Sequence, residues 1–172
     1  DEKLRTLYYQ GRIFQNQGAD DKAMNCFMKA CDLKEVITDT LVLANAFVSE
    51  AMLYYKQYKL DEFIKCHIKA AELYKAIGNI PYEVKSYTIA ADGYTMKNRK
   101  AAADSLMQIC LPLVKNNKDS ESFLFNSILL YTLRFGTKEE IRNFLSKHQH
   151  NDLSSDDLMD FAKGYTKLGE YA

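Results

Sequence analysis

The chain has 172 residues, 47% of them hydrophobic and 27% charged, a composition that can bury a continuous core and that excludes disorder. Lys plus Arg equals Asp plus Glu at 23 each, so there is no global field to hold nucleic-acid phosphates or an anionic membrane. Seven Gly and two Pro leave few breakers, and no run approaches the roughly 20 apolar residues that span a bilayer.

Read for apolar period, the chain is nine amphipathic helices joined by short turns. The first runs from about 2 to 17 and stops at Gly18, and the second takes Asp20 as its cap and continues to about 36. Thr38 or Asp39 starts a third, whose stripe Leu43, Phe47, Met52 and Tyr54 carries it to about Tyr58. Asp61 opens the fourth, which ends at Gly78 and Asn79, and Pro81 suits the first turn of a fifth running to about Lys97. The sixth covers Arg99 to about Lys115, and Asn116 and Asn117 turn the chain into a seventh at about 119 to 134. Gly136 and Thr137 separate that helix from an eighth ending near His148. The polar stretch from Gln149 to Ser155 reads as the longest loop, and a ninth helix follows from about Asp156 to Leu168.

A register of 40 residues links these helices. Gly11, Ala51 and Ala91 fall in step, as do Phe14, Tyr54 and Tyr94. On the second helix of each pair the matched rows are Ala23, Phe63 and Ala103, then Phe27, His67 and Met107, then Ala30, Ala70 and Cys110, with only Phe63 oversized. Small residues at such positions let paired backbones approach to about 8 to 10 Å, and the large rows fill the groove beside the contact. The units cover about 1–38, 39–78, 79–117 and 118–150, with a partial unit at 151–172, all in one domain with one continuous core. The fourth unit is the most degenerate. Aligning Tyr131 and Phe144 with the large rows puts Glu140 and Lys147 where small residues belong, so its second helix is expected to pack loosely.

Gly11, Phe14, Gly18, Ala23, Phe27 and Ala30 together resemble the tetratricopeptide repeat (TPR) family, which implies an all-α right-handed superhelix of about four and a half helix pairs. The family unit is about 34 residues, whereas the first three units here are 40, which lengthens every helix by nearly one turn. Units of that length resemble the sensing arrays of bacterial regulatory proteins. The resemblance implies a non-enzymatic module that binds a protein or peptide on a concave face lined by the first helix of each pair. Its positions here are Arg5, Tyr8, Arg12 and Gln15, then Asn45, Val48, Met52 and Tyr55. The third unit supplies Lys85, Thr88, Asp92 and Thr95, and the fourth Ser122, Phe125, Leu129 and Thr132. Val48, Met52, Phe125 and Leu129 would suit the apolar side of a peptide or helix, and Arg5, Arg12 and Lys85 an acidic group. Chaperone-binding members hold a terminal carboxylate with a Lys and an Asn, and Tyr8 and Arg12 stand at those positions here, which excludes that subtype.

Chemical signals are thin. Cys26, Cys31, Cys66 and Cys110 show no CxxC spacing and sit where helices want small buried residues, so they read as free thiols. Cys26 and Cys66 are one unit apart, and equivalent points on stacked units lie about 10 Å apart, beyond the roughly 7 Å limit for a disulfide. His67 stands in a large core row and reads as a packed imidazole, while His148 and His150 lack the further ligands a zinc site needs. No glycine-rich phosphate loop or nucleophile elbow is present, so neither cofactor nor metal nor enzymatic activity is expected. The chain begins at Asp1 without an initiator Met and stops within a unit, so it reads as a piece of a longer protein, cytoplasmic or periplasmic. Stopping there would leave Leu158, Phe161, Ala162 and Tyr165 of the ninth helix uncovered, and self-association through that end is the expectation.

Overall fold

The computed structural model describes residues 1–33, 39–115 and 121–148. Among them the chain forms eight helices and no strand: α1 (Glu2–Asn16), α2 (Asp20–Cys31), α3 (Thr40–Lys56), α4 (Leu60–Ala76), α5 (Ile80–Met96), α6 (Lys100–Lys115), α7 (Glu121–Phe135) and α8 (Lys138–His148). Each helix packs on its successor, and α1 on α3 and α5 on α7 as well, so the pairs stack into a solenoid. The expected loop at 149–155 and the ninth helix, with its uncovered stripe, lie outside the described residues.

Four of the described turns share one device. Gly18, Tyr58, Gly78 and Asn98 all take positive φ, between 58° and 72°, and the amide after each bonds back to the carbonyl of Phe14, Tyr54, Tyr74 or Tyr94. That left-handed residue ends one helix and swings the chain into the next. Helix starts differ from one another. Asp39 caps α3, its Oδ1 accepting from the Val42 amide at 3.2 Å, and Asn79 with Pro81 opens α5. Asp20 does not cap α2: it is the first helical residue, after Ala19. Likewise Asp61 lies inside α4, behind Lys59. These acids act through the helix dipole and across the pairs instead: Lys56 on α3 reaches Asp20 at 2.9 Å, and Lys97 after α5 reaches Asp61.

The matched rows meet at the helix crossings. Ala23, Ala30, Ala51, Ala70, Ala91, Ala103 and Cys110 are all buried, and a Cβ placed on Gly11 would stand 2.5 Å from Phe27 Cε1, so only glycine admits that ring. The oversized Phe63 is accommodated by a second exchange of size. It lies against Gly93, where a Cβ would meet its ring at 3.2 Å and Ile64 Cγ1 at 2.6 Å. One unit earlier the corresponding residues are Ala23 and Leu53, so the large and small partners have traded helices. His67 is 1% exposed and meets Phe63 edge-on at 4.8 Å, a packed imidazole as its row requires. Neither ring nitrogen has a hydrogen-bond partner among the described residues.

The fourth unit breaks the register. Glu140 and Lys147 are exposed, and the residues that α8 buries are Ile141 and Leu145, set against Leu129 of α7. The helix has rolled by about one residue, because a carboxylate and an ammonium cannot enter the crossing. Its start is nonetheless well made. Thr137 and Glu140 form a reciprocal capping box, with Glu140 N to Thr137 Oγ1 at 3.2 Å and Thr137 N to Glu140 Oε2 at 2.7 Å. The core is correspondingly not one body. It is continuous from α1 to α6, where Leu106 joins two clusters, whereas Leu129, Ile141 and Leu145 form a cluster of their own.

Candidate partner-binding face

The long α3 sets the centre of the candidate face. Leu41, Asn45, Val48, Met52 and Tyr55 follow one another at helical spacing along one stripe. Leu41, Met52 and Tyr55 are each more than 40% exposed, and Asn45 and Val48 are half-buried. Leu41 went unnoticed in the sequence although it stands four residues before Asn45 on the same stripe. Asn45 is already engaged, its Oδ1 accepting from the Tyr74 hydroxyl at 2.6 Å.

On α1, Arg5 and Arg12 are exposed and Gln15 is half-buried. Arg5 Nε meets Asp39 Oδ2 at 2.6 Å and ties α1 to the start of α3. Partial desolvation pushes the Asp39 carboxyl up, but Arg5 and the Val42 amide outweigh it and hold the group below its ordinary range. Arg12 Nη1 donates to the Tyr8 hydroxyl at 3.1 Å. On α5, Lys85 is exposed and Asp92 half-buried, and on α7 Phe125 and Thr132 are half-buried. The side chain of Ser122 lies outside the described residues.

Four of the expected positions are buried: Tyr8 at 8% exposure, Thr88 and Thr95 at 2% and Leu129 at 1%. Tyr8 packs between Tyr9 and Phe27, and Leu129 belongs to the core of the α7–α8 pair. Helix α5 packs against α4, α6 and α7, which encloses Thr88 and Thr95. These four therefore offer no solvent-facing surface, and the accessible members are Arg5, Arg12, Met52, Tyr55 and Lys85 with the half-buried residues beside them.

A separate polar cluster lies between α2 and α4, over α3. Glu50, 7% exposed, faces Tyr54, Cys31 and Cys66 in a groove of about 210 Å³. Burial first, then the Glu50 charge, pushes the Cys66 thiol up to about 12 and Cys31 higher still. Both remain protonated at neutral pH, the opposite of what a nucleophilic cysteine needs. Burial likewise lowers the His67 imidazole to about 4, so it is neutral where a general base would have to work. Among the described residues no three His, Cys, Asp or Glu side chains converge as metal ligands. Nor is any described helix long and apolar enough to cross a membrane.

No protein-family model matches the chain, and neither does any curated protein. Solved structures do. BtubC (BKLC) from P. vanneervenii is similar with a TM-score of 0.66 at 12% identity, over 97% of this chain and 73% of that one. A putative kinesin light chain from Podosopora anserina with nearly identical TPR-like repeats gives 0.61 at 12% identity, over 96% and 87% of the two chains. The fold is TPR-like. At that identity the likeness is one of fold alone, and TPR-like arrays serve in general as surfaces for proteins and peptides.

Proposed function

We propose that this TPR-like array is a non-enzymatic docking module that binds a peptide or helix across the face centred on α3. The observation that carries the reading is the exposed apolar stripe of Leu41, Met52 and Tyr55 with Val48 beside it. Such a stripe, with the exposed cations Arg5 and Arg12 on α1, which packs on α3, and Lys85 on α5, suits a ligand with one apolar and one acidic side. Peptides selected from a displayed random library on the protein test this. Met52→Asp should abolish capture of most of them, while Met28→Asp on α2 should leave capture intact. Peptides that bind both variants equally would remove the stripe from the site.

Within that class we read the module as the sensing part of a larger bacterial regulatory protein, on the strength of its 40-residue units with long helices. A constitutive scaffold is the rival. A sensing array should change its small-angle scattering profile when a selected peptide binds, and an unchanged profile favours the scaffold.

A further inference from the structure

The rolled α8 leaves a second opening, remote in sequence from the α3 stripe. Between the start of α6, the end of α7 and α8 lies a groove of about 400 Å³, within the roughly 300 to 1,000 Å³ of ligand sites. Tyr131, Phe135 and Phe144 line it, all half-buried, with the first two rings edge-on at 5.1 Å. Lys100 and Lys147 stand on its rim, the former with Nζ 5.9 Å from the centre of the Tyr131 ring. Glu140 also lines the groove, but its carboxylate is committed to the Thr137 amide at 2.7 Å and hydroxyl at 3.0 Å. Among the described residues neither lysine is in a salt bridge.

An aromatic floor beneath two rim cations that form no salt bridge among the described residues asks for a ligand that is apolar at its centre and negative at its edge. We propose that this groove docks an acidic segment of a partner protein, with an apolar side chain among Tyr131, Phe135 and Phe144 and a neighbouring carboxylate between Lys100 and Lys147. The carboxylate gains charge-assisted bonds that the chain itself does not supply to these lysines. A basic segment would meet like charge at the rim, and a neutral one would leave the two lysines with only the Glu140 carboxylate, already bonded to Thr137, as counter-charge in the groove. The register explains why the groove opens here: small residues at the positions of Glu140 and Lys147 would let α8 close on α7.

Fluorescence anisotropy with the labelled heptapeptide GEFEFEG tests the proposal, with GKFKFKG as its charge-reversed control. The acidic peptide should bind at least about tenfold more tightly than the basic one, and binding should weaken as salt rises. Lys100→Glu with Lys147→Glu should cost about tenfold or more in affinity, and Lys147→Ala alone a few-fold. Both lysines are exposed, and circular dichroism establishes that each variant keeps the parental helix content; should the double variant lose it, Lys147→Ala decides the matter. Met52→Asp should leave this affinity within about twofold, which separates the groove from the α3 stripe. Equal affinity for the two peptides, no binding of the acidic one, or an unchanged affinity in the lysine variants would overturn the proposal. Loss of binding in Met52→Asp would assign the peptide to the other face instead.

Discussion

The first and the last described helix pairs follow one plan and end in different geometries. In α1–α2 the crossing is made by Gly11, Ala23 and Ala30, and the helices close until a Phe27 ring fills the position of a missing Cβ. In α7–α8 the corresponding positions hold Ile128, Glu140 and Lys147, and α8 turns to bury Ile141 and Leu145 instead. The crossing positions are equally spaced in the two pairs, yet one pair is sealed and the other open. Two things differ between them: the size and charge of three side chains at the crossing, and the turn, which is left-handed at Gly18 but not at Gly136.

The comparison is tested most severely by removing the substitute anchor. Leu145→Ala, at a residue 1% exposed, should cost roughly 2 to 5 kcal/mol locally. Because each pair contacts only its neighbours, hydrogen exchange should accelerate in α7–α8 and leave α1–α4 unchanged. A uniform acceleration along the chain would mean that the last pair is not a separate unit.

The second pair offers a titration. His67 sits at about 4 in the folded chain, below the ordinary 6.5, because burial disfavours its charged form, with a further push from Lys85. The unfolded chain therefore binds the extra proton between these values, so stability is full above pH 6.5 and declines as pH falls towards 4, by about 3 kcal/mol over the window. His67→Met, which installs the residue found at position 107 of the same row, should flatten that part of the urea-denaturation profile. A profile with the same slope in both proteins would assign the acid sensitivity elsewhere.

Gly11→Leu imports bulk into the sealed crossing and should cost about 1 to 3 kcal/mol, read as a lower melting temperature. The smallest effect runs the other way. Tyr58 takes φ 58° and is 89% exposed, so Tyr58→Gly relieves left-handed strain and should stabilise by about 1 kcal/mol. Asn98→Gly should gain less, since Asn tolerates that conformation. Equal gains at the two positions would show that strain is not what separates them.

Most of the fold was legible because steric size at the crossings is written directly in the sequence: rows of Ala and Gly against rows of aromatics have few other uses. The traded sizes of Phe63 and Gly93 were half legible. Phe63 stood out in its own row, but its compensation lies 30 residues later on another helix, and only a comparison with Ala23 and Leu53 exposes it. The candidate face was less legible, since exposure depends on which neighbours each helix acquires. Thr88 and Thr95 occupy the same phase as Val48 and Tyr55, yet they are buried on a helix packed against α4, α6 and α7. Helix caps misled for a local reason. Asp20 and Asp61 have the right chemistry, but the left-handed residue before each helix fixes the start one or two residues earlier.

The left-handed residues at 18, 58, 78 and 98 include both kinds of turn, those within a pair and that between pairs. Gly78 leads from the second pair to the third with the same backbone as Gly18, which joins α1 to α2. From Tyr58 to Asn98 the left-handed turns therefore recur every 20 residues although the side chains repeat every 40. A single helix and turn inserted into the array would be continuous in backbone and yet exchange the roles of every later helix, bringing face residues to the crossings. Growth of such an array is confined to whole pairs by its side chains, while its backbone would accept halves.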